Sequence, residues 1–423
     1  MENKQELPTG WKWVKLGELI KSTQSGTWGE EPLGMPEEEI YNVIRSTEIN
    51  HQGIIIINDE KVAKRKVKPE TAKKYFLQLN DLLIVRSGGT TGKIILGRVG
   101  IYLGKANKYL FSNFLLKAQV NETLVLPEFL WRYLNWGKFL QDNIPNLMRR
   151  TTGIQNLPMD EYFSIEIPLP PLSEQKRIAA KLQEMMQEID QARNACEKQL
   201  EAAKALSSSY LREVFESLEA QNWPKKKLGE VCKYDSGLWG EESDDSPFCY
   251  PILRSNNIRD GKMIFEDLAI RKIESKHVED KSLQYGDILI TTSSGSRDLL
   301  GKSAIFIPFD DKVYLFSNFT MRLRPLQKLI DNFYCYFYLQ SPDAKKVLQL
   351  LQDTTTGLRN LNRKKFLNQL IPLPPLSEQK QISEYLKEKI DYAEKLKSSI
   401  EKELETINSL PQSILSKAFR GEL

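Results

Sequence analysis

The chain has 423 residues with 60 basic and 56 acidic side chains, a formal charge of +4, and 40% hydrophobic content, enough for two or three cored domains. Apolar runs such as Ile54–Ile57 are too short to cross a bilayer, and the opening Met-Glu-Asn-Lys-Gln-Glu lacks the apolar stretch of a signal peptide, so a cytoplasmic protein with no membrane partner is expected. Four cysteines without a C-x-x-C pair, and His51 and His277 as the only histidines, argue against a disulfide framework or a zinc site.

In chain order, short apolar runs at Tyr41–Arg45, Gly53–Ile57, Asp81–Val85, Lys93–Leu96 and Tyr109–Lys117 predict strands, and the turn residues between them predict loops. Leu126–Asn143, with Pro127 at its start, predicts an amphipathic helix, as does Leu329–Leu339 later. Next comes Ile-Pro-Leu-Pro-Pro-Leu-Ser-Glu-Gln-Lys at 167–176, repeated letter for letter at 371–380. Its prolines hold the backbone extended, so that a helix starts only after Pro171 or Pro375, with Ser173 and Ser377 as expected N-caps and Glu174 and Glu378 at the positive end of the dipole.

Each helix then carries a heptad seam. In the first it comprises Ile178, Leu182, Met185, Ile189, Ala192, Cys196, Ala203, Leu206 and Tyr210; in the second it runs from Ile382 through Leu386, Ile390, Ala393, Leu396, Ile400, Leu404, Ile407 and Leu410 to Ile414. Pro411 is expected to kink the last turns. A helix of about 42 residues is about 63 Å long, which favours a coiled coil over a core helix. The two helices balance their charges; the basic excess is in the segments before them, 22 against 19 in 1–172 and 23 against 20 in 217–376. That excess is too small to identify a nucleic-acid binder.

The duplication extends to those segments. Lys15–Glu18 returns as Lys227–Glu230, Ser25-Gly-Thr-Trp-Gly-Glu-Glu31 as Ser236-Gly-Leu-Trp-Gly-Glu-Glu242, Leu110-Phe-Ser-Asn-Phe114 as Leu315-Phe-Ser-Asn-Phe319, and Thr151-Thr-Gly153 as Thr355-Thr-Gly357. The fold class read from this is α+β: two similar globular heads separated by an antiparallel coiled coil of two long helices, a pseudo-two-fold tandem repeat. The boundaries are 1–166, 167–216, 217–370 and 371–423. A short link, Glu216–Asn222, places the second head after the first helix and before the second, so the helices pack antiparallel and the chain termini meet near the first head. Two like heads at a fixed separation suit a reader of two half-sites on DNA.

Taken together, the doubled I-P-L-P-P-L-S-E-Q-K, the W-x-x-V/K-K-L-G-E opening of each head, the Asp-Leu-Leu-Ile element and the closing Lys417-Ala-Phe-Arg-Gly-Glu-Leu423 resemble the specificity subunit of type I restriction-modification systems. The resemblance implies two target recognition domains, each reading half of a bipartite target in double-stranded DNA. It also implies long helices that space the heads and dock two methyltransferase subunits, further restriction endonuclease/translocase subunits, and S-adenosylmethionine in the methyltransferase partner with no cofactor in this chain. Catalytic motifs are absent. Ser87-Gly-Gly-Thr-Thr-Gly-Lys93 departs from a P-loop in spacing and in Ile94, and no Asn-Pro-Pro-Tyr motif occurs. A coiled-coil adaptor without DNA binding, and a degenerate methyltransferase, are the rival readings.

Candidate DNA contacts fall into three groups. The basic run Lys61, Lys64, Arg65, Lys66 and Lys68, with Arg271 and Lys272 as its counterpart, suits phosphates. The turns around Arg149, Arg150, Thr151, Thr152 and Gly153, and around Thr355, Thr356, Gly357 and Arg359, let backbone amides approach phosphates and an arginine reach a guanine edge. Side chains shared by both heads, such as Arg45 and Arg254, hold fold or phosphates, because they cannot distinguish unlike half-sites. Base reading then belongs to the segments that differ: Arg86, Ser87, Thr90 and Thr91 in one head, and Ser293, Ser294 and Arg297 in the other. The glycine loops offer a carboxylate that suits cytosine N4, or else Trp28 and Trp239 make them core anchors.

Overall fold

The computed structural model describes residues 7–35, 39–89, 96–151, 154–242, 248–295, 299–355 and 358–423, with the backbone alone at 89, 149–151, 349, 352–355 and 358. It divides into two compact units: residues 1–195 with 403–423, and residues 196–402. Each unit holds one head together with parts of both long helices, Leu172–Phe215 and Leu376–Phe419.

In the first unit, the main sheet orders Ile20–Ser25, Leu115–Val120, Leu82–Val85 and Val99–Ile101, all antiparallel. A second sheet places Ala63–Lys66 beside Ile40–Ile44, which pairs in parallel with Leu110–Phe111. Lys12–Lys15 pairs with Glu166–Leu169 and closes the head at the threshold of the first long helix. The core lies along these strands, several of which are buried at every position; Val43, Leu82, Ile84, Leu110, Phe111 and Leu115 are all buried.

The second unit repeats this plan. Cys232–Ser236, Thr320–Pro325, Ile288–Thr291 and Ser303–Ile305 form its main sheet in the same order. Cys249–Leu253 pairs in parallel with Leu315–Phe316, and Lys225–Lys227 pairs with Leu370–Pro372.

Each head is clasped by two helix ends. Gln175, fully buried, accepts from Leu126 N at 2.8 Å and donates to the carbonyls of Leu124 (3.0 Å) and Pro170 (2.9 Å). Gln379 makes the same three bonds in the second unit, to Asp331 N (2.9 Å), Leu329 O (3.2 Å) and Pro374 O (2.8 Å). From the other side, Phe419 stacks edge-on against Tyr133 (4.9 Å) and Phe129 (5.6 Å), and Phe215 against Tyr334 (5.4 Å) and Tyr338 (5.6 Å). The helices pair antiparallel in both units, shown by Arg193 on Asn408 (2.9 Å) in one and by Tyr385 on Glu213 (3.2 Å) in the other. The C-terminal end reaches the first head's N-terminal segment, where Gly421 lies against Pro8 and Trp11.

Several expectations are corrected. Both long helices begin at the leucine before the serine, so Ser173 and Ser377 lie inside the first turn; the amides of Glu174 and Gln175 bond the Pro171 carbonyl instead. Leu126–Asn143 is two helices, Pro127–Leu134 and Gly137–Leu147, because Asn135 leaves the helix to bond Val99 through both its amide nitrogen (2.7 Å to O) and its oxygen (3.1 Å from N). Gly53–Ile57 forms only isolated bridges, and Tyr109–Lys117 is broken by a turn at Asn113 and Phe114. Ala192 of the first seam and Leu410 of the second are exposed. Lys93–Leu96 falls mostly outside the described residues.

Candidate nucleic-acid interface

Three motifs that are far apart in sequence meet at one edge of each head. Gly26 packs so tightly on the turn after Phe111 that a Cβ would stand 2.2 Å from Ser112 O; Gly237 meets Ser317 O at the same 2.2 Å. No other residue type fits there. Beside this contact runs the segment that differs between the heads: the amides of Arg86 (3.1 Å) and Ser87 (3.3 Å) donate to Phe114 O, and those of Thr292 (2.8 Å) and Ser293 (3.3 Å) donate to Phe319 O.

The same segment continues into a three-stranded sheet with the two strands that flank the Thr-Thr-Gly motif. Ser87–Gly89 pairs with Ile154–Asn156, which pairs with Arg149–Thr151; Ser293–Ser294 pairs with Leu358–Leu361, which pairs with Gln352–Thr355. Ser87 and Ser293 each donate to an asparagine, Asn156 and Asn360, at 2.6 Å. Two groups of sequence candidates are thereby joined into one surface. Arg359 is half-buried in the central strand opposite Ser294 and Thr354. The side chains of Arg149, Arg150, Thr151 and Thr355 are not described, and Thr90, Thr91, Thr152, Gly153, Arg297, Thr356 and Gly357 lie outside the described residues.

The basic run separates into two kinds of residue. Lys61, Lys64, Lys68 and Lys272 are exposed, and Lys66 is half-buried. Arg65 and Arg271 are instead enclosed, each with a side chain only 14% exposed. The Arg65 guanidinium lies 4.1 Å from the centre of the Trp28 ring and pairs with Glu31; Arg271 lies 4.6 Å from Trp239 and 3.5 Å from Glu242. The tryptophans of the glycine loops are therefore platforms for a stacked arginine.

Arg45 and Arg254 are engaged locally. Glu48 accepts from both the backbone (2.6 Å) and the guanidinium (2.7 Å) of Arg45, and this bonding holds the guanidinium above its ordinary pKa. Arg254 pairs with Asp267 at 3.1 Å while its amide donates to Asn257. Arg86 is anchored too, with Ser25 Oγ at 2.9 Å and Asn113 O at 3.0 Å. In the second head Arg363 reaches the equivalent Ser236 Oγ from another element, and Thr292 takes the place of Arg86.

Sequence reasoning overlooked Arg363, which has no counterpart in the first head. It also overlooked Gln175 and Gln379, although their exact repetition amid charged neighbours was a signal. Among the described residues no group of His, Cys, Asp or Glu could hold a metal ion, and no helix is long and apolar enough to cross a membrane.

The type I restriction modification DNA specificity domain matches the chain twice, over residues 8–202 and 220–406. The type I restriction enzyme EcoKI specificity subunit of Escherichia coli K12 is 24% identical, covering 99% of this chain and 90% of its own length. The StySPI specificity subunit of Salmonella potsdam is 26% identical over 100% and 91%, and the MjaVIII specificity subunit of Methanocaldococcus jannaschii is 26% identical over 99% and 94%. Among solved structures, a chain from work on complex assembly and conformational transition of the type I R-M system superposes with a TM-score of 0.73 at 23% identity, over 99% of this chain and 100% of that one. The HsdS subunit from Thermoanaerobacter tengcongensis gives 0.63 at 23% identity, over the whole of both chains.

Proposed function

Because the chain belongs to the family of type I restriction modification DNA specificity domains, whose members are non-catalytic specificity subunits, we propose that its two heads each read one half of a bipartite sequence in double-stranded DNA. The long helices space the heads and dock two methyltransferase subunits, which bind S-adenosylmethionine, and restriction endonuclease/translocase subunits join the assembly. The complex works in the cytoplasm.

The observation that carries this reading is the doubled edge where the glycine loop, the Ser-Asn-Phe turn and the differing segment converge beside the strands that flank the Thr-Thr-Gly motif. Shared residues there hold the backbone in place. The residues that differ sit on that common frame, as a reader of two unlike half-sites requires. Exposed Lys61, Lys64, Lys68 and Lys272 supply phosphate contacts that are independent of sequence.

The test is base-resolved methylation in cells that co-express this chain and its methyltransferase partners. Exchanging residues 11–166 for the first head of a relative is expected to change one half of the methylated sequence and leave the other intact. A change in both halves, or methyl transfer by the purified chain alone, would overturn the reading.

A further inference from the structure

We propose that Phe114 and Phe319 are a duplicated pair of DNA wedges: each ring enters its own half of the target, presses between or against stacked bases, and distorts the duplex without reading its sequence. This deepens the DNA-recognition reading and rests on it.

The starting point is a residue in an unexpected place. Ser112–Leu115 and Ser317–Thr320 are tight turns closed by the amide of the fourth residue on the carbonyl of the first, at 2.9 Å in both heads. Phenylalanine occupies the third position, at an exposed corner where glycine, asparagine or aspartate is usual. Phe114 is 39% exposed and Phe319 is 49% exposed, whereas Phe111 and Phe316, three residues earlier, are completely buried. Neither corner ring is a core residue.

Each ring is also firmly mounted. The carbonyl of each phenylalanine accepts two successive amides of the differing segment, and Thr292 Oγ1 adds a third bond to Phe319 O at 3.0 Å. Behind the turn, Gly26 and Gly237 allow the glycine loop to close against it. A large apolar side chain is thus held rigidly beside the loop that varies between heads.

Chemistry narrows what the ring can meet. A residue common to both heads cannot distinguish unlike half-sites, and a phenyl ring cannot bind phosphate. What both half-sites share, and what a phenyl ring can engage, is the base stack; apolar wedges unstack a base step and bend the duplex in a sequence-tolerant way. Proximity to the differing segment favours DNA over a protein partner as the occupant.

The experiment uses the full chain assembled with its methyltransferase partners, on duplexes carrying 2-aminopurine at successive steps of each half-site. With the methylated position of each half left as its natural base, because the methyltransferase extrudes that base itself, the native complex is expected to raise fluorescence at one further step in each half. Phe114→Ala should abolish the signal in the first half-site only, Phe319→Ala in the other half only, and either should weaken binding about tenfold. On a duplex already broken by an abasic position at that step, the loss should shrink to within about twofold, and the methylated sequence should be unchanged. Phe114→Leu, which keeps an apolar wedge, should retain most of the signal, so a folding defect in the alanine variant does not leave the matter open. Specific binding by the native complex with no fluorescence change in either half would sink the wedge alone, whereas absence of specific binding would sink the DNA reading. Equal loss on intact and broken duplexes, or failure of the variants to assemble with the methyltransferase subunits, would also overturn it, the latter in favour of a protein contact.

Discussion

The two heads answer one structural demand with different chemistry. Each buries an aspartate at the start of its central strand, Asp81 at 2% exposure and Asp287 at 1%, and in each one carboxylate oxygen accepts a turn amide at 2.8 Å. In the first head Gln119 donates to the other oxygen at 3.1 Å, and Lys117 stands 3.8 Å from the oxygen that takes the turn amide. In the second, Arg324 grips both oxygens at 2.7 Å. The lesson is that the shared scaffold constrains what must be neutralised and where, while leaving the neutralising residue free to change.

The largest effect expected on breaking this comparison is in the second head. Asp287→Asn strips a bidentate partner from Arg324 and leaves its charge poorly compensated, a loss of roughly 3–5 kcal/mol in local stability. Asp81→Asn, whose lysine partner is more distant, should cost about 1–2 kcal/mol. Hydrogen exchange resolved by peptide gives each head separately and avoids assuming a single unfolding transition. Equal losses in the two heads would contradict the distinction.

Symmetry should return at the helix latch. Gln175→Ala and Gln379→Ala each leave a buried amide and two carbonyls without their side-chain partner, at about 2–3 kcal/mol in either unit. The same exchange measurement checks it, read at residues 124–130 and 329–335. A silent Gln379→Ala beside a damaging Gln175→Ala would show that the duplicated motif has diverged in role.

Smaller still is the effect of the arginines that pin the glycine loops. Arg86→Ala and Arg363→Ala each remove hydrogen bonds at a partly exposed site and should cost about 1 kcal/mol. Methylation of the native sequence should weaken in both variants while the sequence itself stays the same. A new methylated sequence in Arg86→Ala would return that residue to base reading.

The last prediction needs no change in stability. Cys232 and Cys335 are buried 3.8 Å apart in the second head, and bonding to Cys232, together with burial, pushes the Cys335 thiol well above its ordinary pKa. Both should resist alkylation in the folded chain, while half-buried Cys249 reacts faster. Combining this with Asp81→Asn sharpens the comparison: if the heads open independently, labelling of Cys232 and Cys335 is unaffected.

The sequence by itself determined the duplication and fold class through its repeats, both long helices through local signals, and their antiparallel pairing through the short link that seats the second head between them. Proline runs, heptad spacing and exact repeats act over a few residues and depend little on distant partners. Tertiary structure decided the remainder. That Trp28 supports Arg65 depends on pairing between segments far apart in the chain, whereas the basic run by itself grouped this arginine with the phosphate contacts. That Arg363 replaces Arg86 at the glycine-loop serine depends on which element passes within reach, and alignment of the two heads conceals it. Asn135 interrupts a helix that its periodicity favours, because the buried backbone of Val99 needs a partner more than one helical turn needs to continue. In each case the partner is a residue distant in sequence, and only the folded chain brings the two together.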